Sequence, residues 1–150
     1  MRFLVIYFNE MKIYYAAAIR GANEIDNSVL NKRIIESLQS SGHEVLTEHI
    51  SDELIRIVGE LNLTDKQIHD RDMEWVANAD VVIAEVSNPS LGVGYEIGRA
   101  LEMGKRILCL YSTQTRRLSA MIRGSESITV TDYKTPEEAI RIINEYLNLL

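Results

Sequence analysis

Two nearly continuous apolar runs in the middle of the chain constrain its fold more than any other feature. They are residues 81–86 (VVIAEV) and residues 106–111 (RILCLY). Strands with helices packed on both faces have this pattern, whereas a strand with one face in water alternates apolar and polar residues. Residues 91–103, between the two runs, have the periodicity of a helix and stop at Gly104. The pattern therefore predicts two buried parallel strands connected by a helix.

The same alternation of short strands and longer helices covers most of the remaining chain. Further strands are predicted at residues 12–17, 44–47 and 128–131, and further helices at residues 25–41, from Thr64 to about Asn78, and from Thr135 onward. We therefore predict an α/β fold with a doubly wound, five-stranded parallel sheet in flavodoxin-like order, which forms a Rossmann-like three-layer sandwich. Ligands bind such sheets at the carboxyl ends of the strands.

Length and charge limit the possible function classes. A chain of 150 residues is expected to form one domain, and its one cysteine cannot form an internal disulfide. The net charge of -6 argues against a nucleic-acid polymer as partner, because neutralising its backbone needs clustered lysine and arginine. The apolar stretch 3–8 is shorter than the about 20 residues that span a bilayer, and it lacks a signal-peptide cleavage site. We therefore expect a cytoplasmic protein that binds a small molecule and no membrane.

The first ten residues have two interpretations. Met11 directly precedes the predicted first strand, so residues 1–10 could be an upstream start added to a domain that begins at Met11. Alternatively, these residues form an extra edge strand. The sequence favours neither interpretation.

Two carboxylates fall on the inward face of predicted helices. Asp72 and Glu96 each lie three or four residues from apolar residues of the same helix on both sides, which places them within the apolar stripe. An unpaired buried carboxylate is costly, so such a position indicates a partner, a cavity or a catalytic role. The alternative is a salt bridge at the margin of the stripe, with Arg20, Arg71 or Arg99 as the partner.

A glycine-containing turn leads from the strand 81–86 into the helix that carries Glu96. Residues 87–96 read SNPSLGVGYE. Free N–H groups at the start of a helix bind anions, and glycine lets a ligand approach closely. The segment has neither the Gly-Lys-Ser/Thr of a Walker loop nor a complete G-x-G-x-x-G fingerprint, so by itself it indicates an anion site only weakly. Glu96, in the first turns of this helix, is predicted to be ionised and able to act as a nucleophile.

Six segments of the chain resemble one enzyme family. They are residues 46–49 (LTEH), 72–75 (DMEW), 79–86 (ADVVIAEV), 89–100 (PSLGVGYEIGRA), 105–110 (KRILCL) and 118–124 (LSAMIRG). Together they make residues 12–133 similar to the 2′-deoxynucleoside 5′-phosphate N-hydrolases, which are relatives of the nucleoside 2-deoxyribosyltransferases. The segments 89–100 and 118–124 are specific to this resemblance.

The resemblance implies a hydrolase that cleaves the N-glycosidic bond of 2′-deoxynucleoside 5′-monophosphates. In that family the glutamate matching Glu96 attacks the anomeric carbon and forms a glycosyl-enzyme ester, which water then hydrolyses. The aspartate matching Asp72 supports proton transfer to the leaving base, and the tyrosine matching Tyr14 positions the nucleophile and the sugar. The reaction builds an oxocarbenium-like centre, so a carboxylate below the sugar and a proton source near the base are what it needs.

The resemblance also implies a set of substrate-binding residues. They are Ile19, Arg20, Gly21, Ser90, Gly92 and Ser119. His49 is a further candidate because it follows a predicted strand, where it could contact the base. Ser119 is expected to reach the phosphate of the neighbouring subunit, which implies a homodimer. Ala18 departs from the family, whose members carry serine there, and Arg20 could supply a cationic contact instead.

Two alternatives to a hydrolase remain open. One is a deoxyribosyltransferase, in which a second base captures the glycosyl-enzyme before water does. The other is a non-catalytic nucleotide-binding module, which would tolerate the loss of Glu96. The hydrolytic reaction needs no metal ion, and the three histidines and Cys109 share no close spacing, so we expect neither a zinc site nor another cofactor.

Overall fold

A computed structural model describes residues 9–19, 25–52, 60–115 and 117–150. Its strands are β1 (Lys12–Ala17), β2 (Glu44–Val45), β3 (Val81–Glu85), β4 (Arg106–Ser112) and β5 (Thr129–Tyr133). Its helices are α1 (Ser28–Ser40), α2 (Asp65–Asn78), α3 (Leu91–Glu102), α4 (Ala120–Arg123) and α5 (Pro136–Asn148), with a 3₁₀ helix at Glu48–Ser51.

The five strands form one sheet in the order β2-β1-β3-β4-β5. Every neighbouring pair is parallel, and Ala17 at the end of β1 lies opposite Glu85 at the end of β3. This is the flavodoxin-like order, so the predicted fold class is confirmed. The direction of winding reverses between β1 and β3, and the crevice outside their carboxyl ends is where this fold binds ligands.

The sheet separates two apolar cores. One contains Ile13 and Tyr15 of β1 and is covered by α1 and α5. The other contains Tyr14 of β1 and is covered by α2 and α3. The alternation of side chains along a strand explains why the consecutive residues Tyr14 and Tyr15 belong to different cores. In the first core, the Tyr15 hydroxyl donates a hydrogen bond to Asn31 Oδ1 of α1 at 2.7 Å.

Several strands and helices begin or end at other residues than predicted. β2 stops at Val45 rather than residue 47 because a side chain takes over the pairing with β1. The Tyr15 N–H donates to Thr47 Oγ1 at 2.9 Å, and this hydroxyl donates to the Tyr15 carbonyl at 2.6 Å. Helix α1 begins at Ser28 instead of residue 25, and β5 covers Thr129–Tyr133 instead of residues 128–131.

The N-terminal interpretations concern residues outside the described part of the chain. Residues 1–8 are not described, whereas Asn9 and Glu10 are exposed and belong to no strand. Within the described ranges, no helix is both long enough and apolar enough to cross a membrane.

Candidate active site

A cavity of about 540 Å³ opens at the carboxyl edge of the sheet. Its walls come from the end of β1, from the residues before and within the first turn of α2, and from the first turns of α3. Four of the site residues predicted from the sequence line it together, namely Ile19, Ser90, Gly92 and Glu96. The position agrees with the rule that ligands bind doubly wound sheets where the winding reverses.

Glu96 is oriented by a hydrogen bond from β1. The Tyr14 hydroxyl donates to Glu96 Oε1 at 2.9 Å, and the ring of Tyr14 is buried in the core between the sheet and α3. The contact joins residues that are 82 positions apart in the chain. The inward orientation of Glu96 and its association with Tyr14 therefore agree with the prediction.

The prediction that the first turns of α3 hold Glu96 ionised needs correction. The pKa of its carboxyl group is raised from 4.5 to about 7, chiefly by burial; the hydrogen bond from Tyr14 lowers this pKa, and the charge of Asp72 raises it. A helix N-terminus typically contributes about 0.3–1 kcal/mol to a nearby anion, which is less than the desolvation of a buried carboxylate costs. Glu96 is thus divided between its acid and its anion near neutral pH.

Asp72 has a salt-bridge partner, as the alternative interpretation of its position required. Arg71 donates from Nε and Nη2 to Asp72 Oδ1 at 2.9 and 2.7 Å. The same guanidinium donates from Nη1 and Nη2 to the carboxylate of Glu60 at 2.5 and 3.0 Å. Asp72 is nevertheless close enough to Glu96 to raise its pKa. Asp72 does not line the cavity of Glu96, but its charge acts on the Glu96 carboxyl group while Arg71 holds it in place.

His49 lies next to this ion pair. Its ring centroid is 5.6 Å from that of Trp75, and its Nε2 is 3.9 Å from Glu60 Oε1. The guanidinium carbon of Arg71 lies 4.5 Å from the Trp75 ring centroid. The structure thus brings His49 next to Glu60, which lines the cavity.

Ser90 and Gly92 form the start of α3. Ser90 is the N-cap residue, and its Oγ accepts a hydrogen bond from the Val93 N–H at 3.3 Å. A Cβ at Gly92 would lie 3.8 Å from Ser90 Oγ, which is an ordinary contact, so the turn itself does not require glycine. The absent side chain instead leaves the backbone of the first helical turn open to the cavity, as an anion site requires.

Ser119 does not share the cavity of Glu96. It lines an adjoining cavity of about 390 Å³ together with Ser90, Leu91 and Met121. Leu91 and Met121 are 97% and 83% exposed. Ser90 and Val93 line both cavities, so the two cavities share a wall at the start of α3.

Some predicted residues fall outside this geometry. Arg20 and Gly21 lie outside the described residues. Ala18 is half-buried and lines a small cavity with Ile19, Ile25 and Asn88.

The sequence analysis missed two carboxylates. Glu60 lines the cavity and binds Arg71, but it precedes α2 in a polar stretch that carries no recognisable signal. Glu85 is 2% exposed at the end of β3. It is the one charged residue in the apolar run 81–86, and that position was a visible signal.

Cys109 is a core residue of the sheet. Cys109 is buried within β4, and burial raises the pKa of its thiol to about 12, as in an unreactive core cysteine. Among the residues that the structure describes, no three histidine, cysteine, aspartate or glutamate side chains are grouped to hold a metal ion.

Comparison with known proteins identifies similar sequences along most of the chain. The 5-hydroxymethyl-dUMP N-hydrolase of Danio rerio is 46% identical over 144 residues, which cover 93% of this chain and 98% of that protein. A putative 2′-deoxynucleoside 5′-phosphate N-hydrolase 1 of Nematostella vectensis is 49% identical over 144 residues, which cover 92% and 95% of the two chains. The human 5-hydroxymethyl-dUMP N-hydrolase is 46% identical over 130 residues, covering 83% and 73%.

Solved structures agree on the fold. The CMP N-glycosidase BcmB of Clostridium botulinum superposes with a TM-score of 0.67 at 23% identity, covering 90% of this chain and 99% of that chain. The solution structure of BlsM gives a TM-score of 0.76 at 21% identity, covering 95% and 92%. The model of the nucleoside 2-deoxyribosyltransferase family matches residues 13–140. With its fold, its cavity and its relatives in agreement, the chain belongs to the nucleoside 2-deoxyribosyltransferase family.

Proposed function

We propose that this protein hydrolyses the N-glycosidic bond of 2′-deoxynucleoside 5′-monophosphates and releases the free base and deoxyribose 5-phosphate. The observation that carries the proposal is the hydrogen bond between Tyr14 and Glu96 at the cavity. It orients a carboxylate beside a helix N-terminus that suits a phosphate. Relatives named as N-hydrolases of deoxynucleotides, at 46% and 49% identity over nearly the whole chain, support the same reaction.

In the first step, an Oε of Glu96 attacks C1′ of the deoxyribose. A bond forms between this oxygen and C1′ while the N-glycosidic bond breaks, and the electron pair of that bond goes to the base nitrogen, which takes up a proton. Asp72, held by Arg71, relays this proton from solvent to the base nitrogen. Tyr14 stays protonated and orients Glu96, because burial and the charges of Glu96 and Asp72 raise the pKa of its hydroxyl well above the ordinary value.

In the second step, water attacks C1′ and the bond between C1′ and the Glu96 oxygen breaks. Asp72 takes a proton from the water and passes it to solvent, deoxyribose 5-phosphate leaves, and Glu96 is regenerated as a carboxylate. Two successive displacements at C1′ retain its configuration. A test is to trap the intermediate with a slow substrate and locate the added sugar phosphate on Glu96 by mass spectrometry. An unmodified Glu96 peptide during steady turnover would contradict the covalent step.

The 5′-phosphate is proposed to bind at the N-terminus of α3. Ser90 and the open backbone at Gly92 supply donors there, and Ser119 of a neighbouring subunit completes the site in a homodimer. Two observations support the shared site. Ser119 does not line the cavity of Glu96 in its own chain, and the exposed side chains of Leu91 and Met121 surround it with apolar surface suited to an interface.

The function is tested with purified protein and a panel of deoxynucleoside 5′-monophosphates, with the free base measured by chromatography. The names of the relatives make 5-hydroxymethyl-dUMP the first compound in the panel. We expect monophosphates to be hydrolysed ahead of the corresponding nucleosides. Equal kcat/KM for a nucleoside and its monophosphate would show that the site lacks the proposed grip on phosphate, and Ala18→Ser should then raise the ratio.

Base transfer is the second candidate because the matched family model is that of the nucleoside 2-deoxyribosyltransferases. The two reactions share the glycosyl-enzyme and differ in which acceptor reaches C1′ first. Adding a second free base to the hydrolysis assay separates them. A transferase would form the exchanged nucleotide faster than deoxyribose 5-phosphate, whereas a hydrolase would form deoxyribose 5-phosphate at an unchanged rate.

A further inference from the structure

We infer that Glu85 and Asn88 are positioning residues for the phosphate subsite. Neither lines the cavity of Glu96, and Asn88 lines the adjoining cavity together with Ser90 and Ser119. They tie the turn between β3 and α3 to the segment that leads into α1, and so fix where Ser90 and Gly92 present their donors. The inference rests on the proposed function, because it concerns the site at which the 5′-phosphate of the substrate is proposed to bind.

Glu85 accepts hydrogen bonds from three separate parts of the chain. Its Oε2 accepts from Asn27 Nδ2 at 2.7 Å. Its Oε1 accepts from the Tyr133 hydroxyl of β5 at 3.0 Å, from the Ser87 N–H at 3.3 Å and from the Ser87 hydroxyl. A nearly fully buried carboxylate is costly unless its oxygens are satisfied, so all these donors are held close to it.

Ser87 extends this network to the next strand. Its Oγ accepts a hydrogen bond from the Ser112 N–H at the end of β4 at 2.7 Å, which directs the hydroxyl hydrogen of Ser87 to Glu85. The turn that follows β3 is thereby fixed to β4 and, through Glu85, to β5. Ser90, three residues further on, begins α3 from this fixed turn.

Asn88 provides a second connection, to the segment before α1. Its Oδ1 accepts from the Ile25 N–H at 3.2 Å, and its Nδ2 donates to the Ile25 carbonyl at 2.7 Å. One side chain thus satisfies both polar groups of a single residue of the neighbouring segment. Asn88 also lines a small cavity together with Ile19, and Ile19 in turn lines the cavity of Glu96. This connection therefore lies next to the cavity of Glu96.

Asn27 shows that the network takes precedence over local helix stability. Asn27 occupies the N-cap position of α1, where asparagine usually accepts a hydrogen bond from the helix backbone. Its side chain makes no such bond and donates to Glu85 instead. Because the Asn27 side chain binds the buried Glu85 instead of capping its own helix, we infer that this contact fixes the start of α1.

The first test replaces Asn88 with leucine, which has a similar size and neither donor nor acceptor. The probe is deoxyribose 5-phosphate, whose binding is measured by titration calorimetry. We expect Asn88→Leu to weaken its binding at least about tenfold, while kcat for a deoxynucleotide falls less than about threefold. The matched control is Tyr15→Phe, which breaks the buried hydrogen bond to Asn31 on the same face of the sheet. It should lower Tm and leave the binding unchanged.

The second test reverses the polarity of the contact between Asn27 and Glu85. Asn27→Asp places two carboxylates together and should weaken the binding of deoxyribose 5-phosphate by about tenfold or more. Binding is measured at about pH 8.5, so that the two carboxylates do not share a proton. Glu85→Gln alone should be tolerated, because the Asn27 amide can turn over and accept. Adding Glu85→Gln to Asn27→Asp restores a donor and an acceptor, so binding should recover to within about threefold of wild type.

The outcomes separate this inference from the proposed function. If Asn88→Leu binds deoxyribose 5-phosphate as wild type does, or if the double variant fails to recover, the positioning role is wrong even when wild type hydrolyses deoxynucleotides. If wild type releases no base from any deoxynucleotide but the variants show the expected binding pattern, the positioning role stands and the hydrolase proposal fails. If the Tyr15→Phe control loses binding as strongly as Asn88→Leu, the effect is general destabilisation and the inference is wrong.

Discussion

Tyr14 donates its hydroxyl hydrogen to Glu96 Oε1 across 2.9 Å, and each group changes the acidity of the other. The bond stabilises the carboxylate and so lowers the pKa of Glu96, whereas the carboxylate raises the pKa of the tyrosine hydroxyl. The hydrogen bond therefore increases the fraction of Glu96 that is ionised at neutral pH, against the larger effect of burial.

Tyr14→Phe should move the acid limb of the pH profile to higher pH. Loss of the hydrogen bond removes the contribution that lowers the pKa of Glu96, so this pKa rises above about 7 and less nucleophile is present at neutral pH. We expect kcat/KM at neutral pH to fall about tenfold or more, with a smaller deficit at high pH. The measurement is kcat/KM for one deoxynucleotide over a pH series, and an unshifted limb would contradict the role of Tyr14.

Asp72→Asn should shift the same limb in the opposite direction while slowing the reaction. The charge of Asp72 raises the pKa of Glu96, so its removal lowers that pKa, and the loss of a proton-handling group lowers kcat by roughly a hundredfold or more. Asp70→Asn is the matched control, because Asp70 lies on the same helix, is exposed and pairs with Lys66. If Asp72→Asn matches Asp70→Asn in rate and pH profile, Asp72 has only a structural role.

Glu96→Gln should abolish base release and stabilise the folded protein at alkaline pH. The pKa of Glu96 is about 7 in the folded state against an ordinary 4.5, so the folded state binds more protons and wild-type stability falls as pH rises between these values. Below about pH 4.5 wild type and Glu96→Gln should have the same free energy of unfolding. Above pH 7 the free energy of unfolding of the variant should exceed that of wild type by up to roughly 3 kcal/mol, which raises its Tm by several degrees. Equal Tm at pH 8 would show that Glu96 is not desolvated.

Mixing Glu96→Ala with Ser119→Ala should restore activity if the site is shared. In a mixed dimer, one site receives Glu96 from one subunit and Ser119 from the other. Ser119→Ala alone should raise KM about tenfold. Adding the inactive Glu96→Ala protein should bring KM back toward the wild-type value, because its intact Ser119 completes the site of the other subunit.

The control for this mixture is the double variant Glu96→Ala with Ser119→Ala, which offers no intact serine and should rescue nothing. Met121→Glu on the exposed surface should also prevent rescue by separating the subunits. Fully active wild-type protein that sediments as a monomer at assay concentration would rule out the shared site.

The sheet could be predicted from the sequence because its central strands carry their own signal. Residues 81–86 and 106–111 are apolar on both faces, and only a position between two helical layers accommodates that pattern. The inward face of Glu96 also followed from its spacing. The pKa of Glu96 could not be predicted in the same way. The position of Glu96 in the helix shows that the helix dipole acts on its carboxyl group, but it does not show how deeply that group is buried, and burial raises the pKa.

The contacts of the site were harder to predict than the fold. Arg71 and Asp72 are adjacent on a helix, and adjacent helical residues do not face each other, so spacing gave no reason to prefer this pair. The long guanidinium reaches Asp72 while it also binds Glu60, which precedes the helix. Tyr14 was identified through resemblance alone, because alternation along a strand does not reveal which of its two faces meets the catalytic helix.

Catalysis depends on the register of β1, because two neighbouring tyrosines of this strand contact different helices. Tyr14 faces α3 and binds Glu96, whereas Tyr15 faces α1 and binds Asn31. A shift of one residue in the pairing of β1 would exchange the two rings, and each hydroxyl would be presented to the wrong helix. An insertion or deletion within Lys12–Ala17 would therefore inactivate the enzyme even where the sheet itself could absorb the change.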